Sequence, residues 1–517
     1  MAALRQYPYS LEEPLLWFAN HPWRILDALE GTAILGDTGS GKTSGSGKAI
    51  ARALLNAGFG GLVLCKKIDE SEDWIRLAVE CGRQDQLLIV NPRQGWRFNF
   101  LDYNFRRRGE GGGFVENAVQ LFMSVIENRR DAAGQDERQQ RFFVDNTRRL
   151  LRHSMEALLL AGEPVTMDGL RRLINSTPSP HPQTGQPVWP ENSFLVNALA
   201  RAIYRQQRQL TGDVATDNTP QDIREYFERD FARSGSNRQS SGIVSTLLGM
   251  AEPYLSGPVR EVFCTTTNFL PAEFSRKGAI IILDFPLDEY EDIGRTAALT
   301  LKYIWQRGIV RRQGLREPGD VPVFLWADEA QNFVTSADPK FHNECRSSVC
   351  ATVLLSQNIN NYIAAFHQNA EAQANALLAG LGTKIFHRNG DYRTNEWAAE
   401  TCAKGRAVFY SGGSSESRGM SDNQSWGSSW GGSSGTHDSS RTHNREHGGS
   451  RGFSREQSTN EGWSEQVDYQ VQPELFTRLK SGGRYNRNEV QAVIFKSGMP
   501  FPPHGKPFTA VTFKQGR

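Results

Sequence analysis

Short apolar runs alternate with stretches of helical character in the first part of the chain. The runs at 32–35, 62–65 and 87–90 have the length of buried strands. Between them, helix-forming residues follow Lys48 and Ser71. This repeated order of strand and helix predicts a mostly parallel sheet flanked by helices, and therefore an α/β fold.

The strand-like runs stop over residues 114–274, where helical periodicity takes their place. Helical spacing is clear over 114–127, 138–160 and 222–233. A Pro- and Ser-rich stretch at 176–190 interrupts it. We therefore predict an all-helical domain inserted into the α/β domain.

Strand-like runs return after residue 275. They lie at 279–284, 321–327, 351–355 and 383–386. The simplest arrangement is one discontinuous α/β domain that begins before the helical insertion and continues after it.

Residues 411–460 differ in composition from the rest of the chain. Of these 50 residues 25 are Ser or Gly, and none is Leu, Ile, Val or Ala. Such a segment cannot bury enough apolar surface to offset the entropy cost of ordering it. We predict a flexible segment over 411–466, after which a folded pattern returns.

Length and charge limit the possible classes of protein. A chain of 517 residues with 38% hydrophobic content has room for about two to four domains. The formal net charge is only +2, so overall charge does not indicate nucleic acid as a partner. The six cysteines form no C-x-x-C pair, which is typical of reduced thiols in the cytoplasm.

The sequence shows no signal for export or membrane insertion. The N-terminus lacks the apolar core of a signal peptide. No stretch reaches the length of about 18 uninterrupted apolar residues that a membrane-spanning helix needs. We expect any membrane association to come through a partner.

Residues 36–43 read GDTGSGKT and match the phosphate-binding loop pattern G-x-x-x-x-G-K-[ST] in full. The motif follows an apolar run and precedes a predicted helix, which is the context it requires. Its glycines let consecutive backbone N–H groups turn toward phosphate groups at a helix N-terminus. The residues predicted to hold the nucleotide are Gly36, Asp37, Thr38, Gly39, Ser40, Gly41, Lys42, Thr43 and Ser44.

Two side chains of this loop have predicted roles in binding ATP with Mg²⁺. Lys42 is expected to reach the β- and γ-phosphates, and the Thr43 hydroxyl to bind the metal ion. A chance match in a Gly- and Ser-rich turn is the alternative, but it does not explain the flanking strand and helix. The nearby Ser46-Gly47-Lys48-Ala49 repeats part of the motif and lacks the hydroxyl residue after its lysine.

An apolar run at 323–327 ends in two adjacent acids, Asp328 and Glu329. Phosphoryl transfer depends mainly on positioning and on charge stabilisation. Asp328 is predicted to hold Mg²⁺ through water, and Glu329 to orient and polarise the attacking water. The alternative is a solvated strand end, but the pairing with the phosphate loop favours the catalytic interpretation.

Gln357 and Arg388 follow two later strand-like runs. Gln357 is predicted either to contact the γ-phosphate or attacking water, or only to cap a strand, and the sequence favours neither. Ring ATPases need a cation from a neighbouring subunit to stabilise charge in the transition state. Arg388 and Arg406 are candidates, although a surface charge is the commoner role for such an arginine.

The order of these parts resembles the type IV secretion coupling ATPases of the TraD/TraG kind, within the FtsK/HerA group of ring translocases. The resemblance covers most of the chain and is carried by residues 36–48, 97–102, 328–329, 356–357, 384–386, Asp391, Thr394, 472–476, Leu479 and Gly482. It implies a RecA-like fold and homo-hexameric rings that hydrolyse ATP between subunits. It also implies translocation of DNA, single-stranded and with bound protein, toward a secretion channel.

The resemblance sets the expected partners, and the patterns along the chain set the expected domain bounds. The partners are DNA, a relaxase or secreted protein substrate, and subunits of the channel. The nucleotide-binding domain is expected to comprise 1–113, 275–410 and 467–517, with the helical domain at 114–274 and the flexible segment at 411–466.

This chain departs from the family in lacking N-terminal membrane helices. The departure favours a variant in the cytoplasm, at most peripheral at the inner membrane through a separate subunit. Two alternative functions stay open. One is a HerA-like DNA-processing translocase, and the other is a recruitment adaptor for secreted effector proteins with slow ATP turnover.

Overall fold

The computed structural model describes residues 10–106, 112–127, 137–181, 183–210, 216–232, 237–312, 317–366, 369–421 and 452–515. The chain divides into two units. The first comprises Met1–Asn395 with Glu474–Arg517, and the second comprises Glu396–Pro473.

Nine strands of the first unit form one sheet in the order β15-β14-β11-β3-β10-β9-β4-β8-β5. All neighbouring strands run parallel except that β14 is antiparallel to both β11 and β15. The strands in chain order are β1 (Pro14–Phe18), β2 (His21–Arg24), β3 (Thr32–Leu35), β4 (Gly60–Leu64), β5 (Leu87–Val90), β6 (Ser179–Pro180), β7 (Pro187–Val188), β8 (Ile280–Leu283), β9 (Val323–Ala327), β10 (Cys350–Ser356), β11 (Thr383–Phe386), β12 (Lys404–Ser421), β13 (Gly452–Tyr469), β14 (Glu489–Lys496) and β15 (Phe508–Lys514). The predicted mostly parallel sheet is confirmed.

Helices of the first unit flank this sheet. The helices of both units are numbered together in chain order. They are α1 (Ile25–Leu29), α2 (Lys48–Asn56), α3 (Glu70–Glu80), α4 (Phe100–Arg106), α5 (Val115–Glu127), α6 (Glu137–Ala161), α7 (Met167–Ile174), α8 (Phe194–Gln207), α9 (Pro220–Glu225), α10 (Asn237–Ala251), α11 (Gly257–Phe263), α12 (Pro271–Arg276), α13 (Leu287–Val310), α14 (Asp338–Cys345), α15 (Ile359–Ala365), α16 (Ala370–Gly380), α17 (Tyr392–Thr401) and α18 (Pro473–Arg478). Helix α13 is interrupted at Glu291, where the backbone is not helical. Among the described helices, none is both long and apolar enough to cross a bilayer.

The central strands are buried on both faces. Every residue of β3, β8 and β9 is buried. Helices cover both faces of a parallel sheet, so its strands are continuously apolar rather than alternating. For this reason the apolar runs of the sequence locate these strands well.

The segment between β5 and β8 is helical in its described residues, apart from the two-residue pair β6–β7. Helices α5 and α6 match the predicted stretches 114–127 and 138–160. The third stretch is split into α9 and a π-helical segment over Tyr226–Phe231. The division of the chain into an inserted domain at 114–274 stays a prediction.

A hairpin that the sequence did not predict packs against the core of the sheet. Strands β1 and β2 pair antiparallel through a turn in which Ala19 and Asn20 have positive φ angles. Their Phe18 and Trp23 side chains are buried in the core. The Trp23 indole N–H also donates to Thr383 Oγ1 at 3.2 Å, so it ties the hairpin to β11.

The second unit contains an antiparallel ribbon made by β12 and β13. Pairing runs from Lys404 opposite Tyr469 to Ser421 opposite Gly452. Residues 411–421 and 452–466, which belong to the predicted flexible segment, are part of this ribbon. The pairing of the two strands uses backbone groups, which do not depend on the type of side chain. Residues 422–451 lie outside the described residues, and the flexibility of the segment stays a prediction.

Candidate nucleotide-binding site

Three adjacent parallel strands bring the two sequence motifs to one edge of the sheet. Strand β3 precedes the phosphate-loop motif, and β9 ends at the acid pair. Strand β10 lies between them and pairs with both. Parallel strands end at the same edge, where α/β proteins hold their ligands.

The phosphate loop is fixed from both neighbouring strands. The backbone N–H of Gly36 donates to the carbonyl of Ser356, the last residue of β10, at 3.2 Å. On the other side, the N–H of Asp37 donates to the Arg388 carbonyl after β11 at 3.0 Å. The Asp37 carboxylate accepts a further bond from the Gly390 N–H at 2.8 Å. The loop shape is therefore set by contacts that the local sequence does not contain.

Residues Thr43–Gly47 form a π-helical turn that leads from the loop into α2. Within this turn the Ser46 hydroxyl lies 2.7 Å from Nε2 of the buried His387. Burial lowers the pKa of His387 to about 3. The ring is therefore neutral near pH 7, and it adds no positive charge beneath the loop.

Lys42 and Thr43 contact the acid pair at the carboxyl ends of the parallel strands. The Lys42 amine Nζ lies 3.2 Å from Glu329 Oε1, and each side chain is 7% exposed. The Thr43 hydroxyl donates to Asp328 Oδ2 at 2.7 Å, although the two residues are 285 positions apart. The structure thus brings together the four side chains that the two motifs were predicted to contribute.

Glu329 is held in one orientation by several partners. Its backbone is left-handed, with φ 48° and ψ 48°. A non-glycine residue in this conformation costs about 1 kcal/mol or more and persists where the surroundings determine it, often at active sites. Its Oε2 accepts from the Gln331 amide at 2.8 Å, and the Gln357 amide lies 3.4 Å from both carboxylate oxygens.

Glu329 stays ionised despite its burial. Burial alone would raise the pKa of Glu329, but the hydrogen bond from Gln331 and the positive charge of Lys42 outweigh it and lower the pKa below the usual value. A carboxylate that is ionised near neutral pH can accept a hydrogen bond from water.

Gln331 is a site residue that the sequence did not predict. Its amide Nε2 donates to Glu329, while its Oε1 accepts from the Ser356 hydroxyl at 2.8 Å. Gln331 therefore links the acid pair to the end of β10. Its only signal in the sequence is an amide two positions after an acid pair.

Of the two arginines predicted as the cation for a neighbouring subunit, the structure describes the surroundings of Arg388 only. Arg388 lies against the phosphate loop of its own chain, through the carbonyl that accepts from Asp37. The side chain of Arg406 lies outside the described residues. The role of either arginine as a cation supplied to a neighbouring subunit stays a prediction.

The oxygen groups of Thr43 and Asp328 fit a Mg²⁺ ion. Mg²⁺ prefers oxygen ligands and is usually held by one or two carboxylates together with substrate phosphates and water. A hydroxyl and a carboxylate within hydrogen-bond distance of each other, beside the phosphate loop, supply the protein's part of such a shell.

Glu70 is a second buried carboxyl near the acid pair, and the sequence did not predict it. It lies at the start of α3, after β4, and is 8% exposed. Its Oε2 accepts from the Lys66 backbone N–H at 2.9 Å. Burial, reinforced by the charge of Asp328, raises the pKa of Glu70 to about 8. In the sequence it lies in an acidic stretch that is typical of a solvated helix start.

We expect the substitution Glu70→Gln to change how stability depends on pH. Between an unfolded pKa near 4.5 and a folded pKa of about 8, the folded chain binds the extra proton. The wild type should therefore lose stability as pH rises through this window. At pH 8.5 the variant should gain on the order of 2–4 kcal/mol relative to wild type, and at pH 4.5 close to none.

Urea unfolding at the two pH values measures this difference. Glu72→Gln is the matched control, because Glu72 lies on the same helix and its side chain is 73% exposed. If the Glu70→Gln difference does not change with pH, the carboxyl is ionised in the folded chain and the inferred burial cost is absent.

Two loop glycines give a matched pair of substitutions. Gly41 has a φ of +86°, and a Cβ there would lie 2.6 Å from Val490 Cγ2. Gly39 has a φ of +73° but no atom within 4 Å of such a Cβ. Both alanine variants should cost about 1 kcal/mol of backbone strain. Gly41→Ala should cost about 1–3 kcal/mol more because of the overlap.

Thermal unfolding of the two variants checks this expectation. Adding Val490→Ala to Gly41→Ala removes the overlapping methyl groups and should recover part of the lost stability. Equal losses for Gly41→Ala and Gly39→Ala would show that β14 does not pack against the loop.

The fold and this arrangement define the chain as an α/β protein with a RecA-like sheet and a phosphate-loop motif at its edge. Among solved structures, it is similar to TrwBdeltaN70, a bacterial conjugative coupling protein in its unbound form, with 13% identity and a TM-score of 0.54 over 99% of this chain and 90% of that one. It is also similar to the plasmid coupling protein TrwB in complex with ADP and Mg²⁺, with 14% identity and a TM-score of 0.56 over 96% of this chain and 88% of that one.

A third similar structure is TrwB with a non-hydrolysable ATP analogue, at 13% identity and a TM-score of 0.55 over 96% of this chain and 88% of that one. No family model matches the sequence, and no curated protein sequence matches it. The resemblance to coupling ATPases that the motifs predicted is confirmed at the level of the fold.

Proposed function

We propose that this chain is an ATPase that couples DNA to a type IV secretion or conjugation channel. The observation that carries the proposal is the meeting of Lys42 and Thr43 with Asp328 and Glu329. It occurs in a fold shared with a conjugative coupling protein over nearly the whole chain. That protein has been solved with ADP and Mg²⁺.

The phosphate loop would hold the triphosphate through its backbone N–H groups and the Lys42 ammonium. The loop N–H groups at the start of a helix favour negative charge. Thr43 and Asp328 would hold a Mg²⁺ ion, which neutralises charge on the phosphates when it is bound. The buried position of Lys42 strengthens its attraction for phosphate oxygens, because screening by water is weak there.

Glu329 would orient the attacking water and accept its proton. The lowered pKa of Glu329 keeps the carboxylate ionised, and thus able to do so, near neutral pH. Gln331 and Gln357 hold it in position through their amide groups. Gln357 therefore supports the site through Glu329, and a direct contact with phosphate or water is a further proposal.

The proposal extends to assembly and partners. The acting form would be a homo-hexamer in which a neighbouring subunit supplies a cation, with Arg388 and Arg406 as candidates. The substrate would be single-stranded DNA with a bound relaxase or secreted protein. Contact with the channel, and with the membrane, would come through partner subunits. The order of the sequence motifs and the shared fold support these points.

ATP hydrolysis by the purified chain, measured with and without single-stranded DNA, tests the proposal. We expect DNA to stimulate turnover at least several-fold, and we expect the stimulated rate to vanish in Glu329→Gln. A rate of ATP hydrolysis that DNA does not change would contradict DNA coupling and favour recruitment of protein substrates. An absence of turnover in the wild type would contradict the ATPase itself.

A further inference from the structure

The sheet order separates the two ends of a nucleotide bound at the phosphate loop. Strand β9, which ends in the acid pair, lies two strands from β3 on one side, and β11, β14 and β15 follow on the other side. In the proposed function, the outermost phosphate would be bound at Lys42, which lies 3.2 Å from Glu329. The backbone N–H groups of the loop would hold the phosphates nearer the sugar. We therefore place the sugar and base beyond Ser44, away from Glu329.

A short loop from the far side of the sheet is bonded to Ser44. The Gln515 amide, at the end of β15, donates to the Ser44 hydroxyl at 2.6 Å. The same amide group accepts from the Gly483 N–H at 2.8 Å. The Gln515 N–H donates to the Asn488 carbonyl at 2.9 Å. Residues 483–488, which we call the 483–488 loop, are therefore held next to the phosphate loop.

The 483–488 loop has a fixed shape. The Asn488 N–H donates back to the Gly483 carbonyl at 2.8 Å, and the Arg487 N–H donates to the Arg484 carbonyl at 3.1 Å. Arg487 and Asn488 both have positive φ, at 55° and 58°. Two consecutive non-glycine residues in this conformation are unfavourable unless the surroundings impose it, and such strain concentrates at ligand-binding sites.

The loop presents an aromatic ring that the fold itself does not use. The Tyr485 side chain is 98% exposed, and Arg484 and Arg487 beside it are exposed as well. An aromatic ring with two flanking cations is a suitable surface for a flat base that carries anionic phosphates. A rigid loop loses little further entropy when such a ligand stacks on it.

We propose that Tyr485 stacks on the nucleobase of the nucleotide held by the phosphate loop, with Arg484 and Arg487 beside it. The proposal rests on the proposed nucleotide binding and adds the part of the site that contacts the base. Stacking uses the π-face that every base has, so it does not select one base over another. The site would therefore accept adenine and guanine nucleotides with similar affinity.

Titration calorimetry with three ligands in the presence of Mg²⁺ tests this proposal. The ligands are a non-hydrolysable ATP analogue, the corresponding GTP analogue, and inorganic tripolyphosphate, which has no base. Tyr485→Ala should weaken both nucleotides by about 5- to 150-fold, the equivalent of about 1–3 kcal/mol at about 1.4 kcal/mol per tenfold. The affinity for tripolyphosphate should stay unchanged.

Two further variants make the result specific. Tyr485→Phe keeps the ring and should bind both nucleotides as the wild type does. Tyr204→Ala removes another exposed tyrosine, 52% exposed on α8, and should have no effect on any ligand.

Three results would overturn the proposal. They are an unchanged nucleotide affinity in Tyr485→Ala, an equal loss for tripolyphosphate, and a failure of Tyr485→Phe to restore binding. Failure of the proposed function looks different, because a wild-type chain that binds neither nucleotide nor tripolyphosphate has no phosphate site at all. Loss of all three ligands in Lys42→Ala, together with the base-specific loss in Tyr485→Ala, would support both.

Discussion

Lys42→Ala is expected to abolish ATP turnover, with kcat/KM reduced by at least about 10³-fold. In the proposed function, the ammonium is the positive charge that contacts the outer phosphates. Its removal also leaves the carboxylate of Glu329, 7% exposed, without its ion-pair partner at 3.2 Å. Stability of the folded chain should therefore fall as well, because breaking a buried pair leaves an uncompensated charge.

Lys48→Ala is the matched control for this substitution. Lys48 lies in the partial repeat of the motif, and its half-exposed side chain is 3.8 Å from Glu80 on the surface. A surface pair of this kind contributes about 0–1 kcal/mol. Steady-state kinetics and thermal unfolding of both variants check the expectation. Full turnover in Lys42→Ala, or an equal loss of turnover in Lys48→Ala, would contradict the assignment of residues 36–43 as the phosphate loop.

Glu329→Gln is expected to separate binding from hydrolysis. The amide keeps the size of the side chain but cannot accept a proton from water, so turnover should fall by about 10²- to 10⁴-fold. Nucleotide affinity should change by only a few-fold, since Lys42 and the loop remain. Single-turnover hydrolysis and calorimetric titration of a non-hydrolysable analogue measure the two effects on one preparation.

Glu371→Gln provides the control for that experiment. Glu371 is 64% exposed and pairs with Arg393 on the surface, so its neutralisation should leave both quantities unchanged. If affinity falls together with turnover, Glu329 acts mainly by holding the site together. If Glu329→Gln retains turnover, another group accepts the proton, and Glu329 is not the catalytic base.

Apolar runs located the strands of the parallel sheet because these strands are buried on both faces. The runs at 32–35 and 323–327 coincide with β3 and β9, in which every residue is buried. Their continuous hydrophobicity leaves no solvent-facing position that would blur the pattern. Helical periodicity was equally direct for α5 and α6, whose apolar faces are buried.

The elements that the sequence did not predict depend on distant partners. The β1–β2 hairpin is short, and its Trp23 finds a hydrogen-bond acceptor only on β11. The described parts of the β12–β13 ribbon have little apolar content, and their pairing uses backbone groups that every residue carries. Neither composition nor periodicity predicts these two kinds of contact.

The two site motifs were visible because each is a local chemical pattern. The glycines, lysine and threonine of 36–43 form a recognisable pattern within a few residues, although contacts with Ser356 and Arg388 hold the loop in shape. The acids at 328–329 could be recognised because they directly follow a buried strand. Gln331 and Glu70 carry no such pattern, because an amide or carboxyl becomes a site residue only through what surrounds it.

The sequence by itself predicted which groups would bind phosphate and metal, and it determined that they follow buried parallel strands. The tertiary structure alone decided that β10 lies between β3 and β9, which brings Thr43 within 2.7 Å of Asp328. It also decided that Gln515 fastens the 483–488 loop to Ser44. Local motifs follow from backbone preferences over a few residues, whereas strand order follows from the packing of side chains hundreds of residues apart.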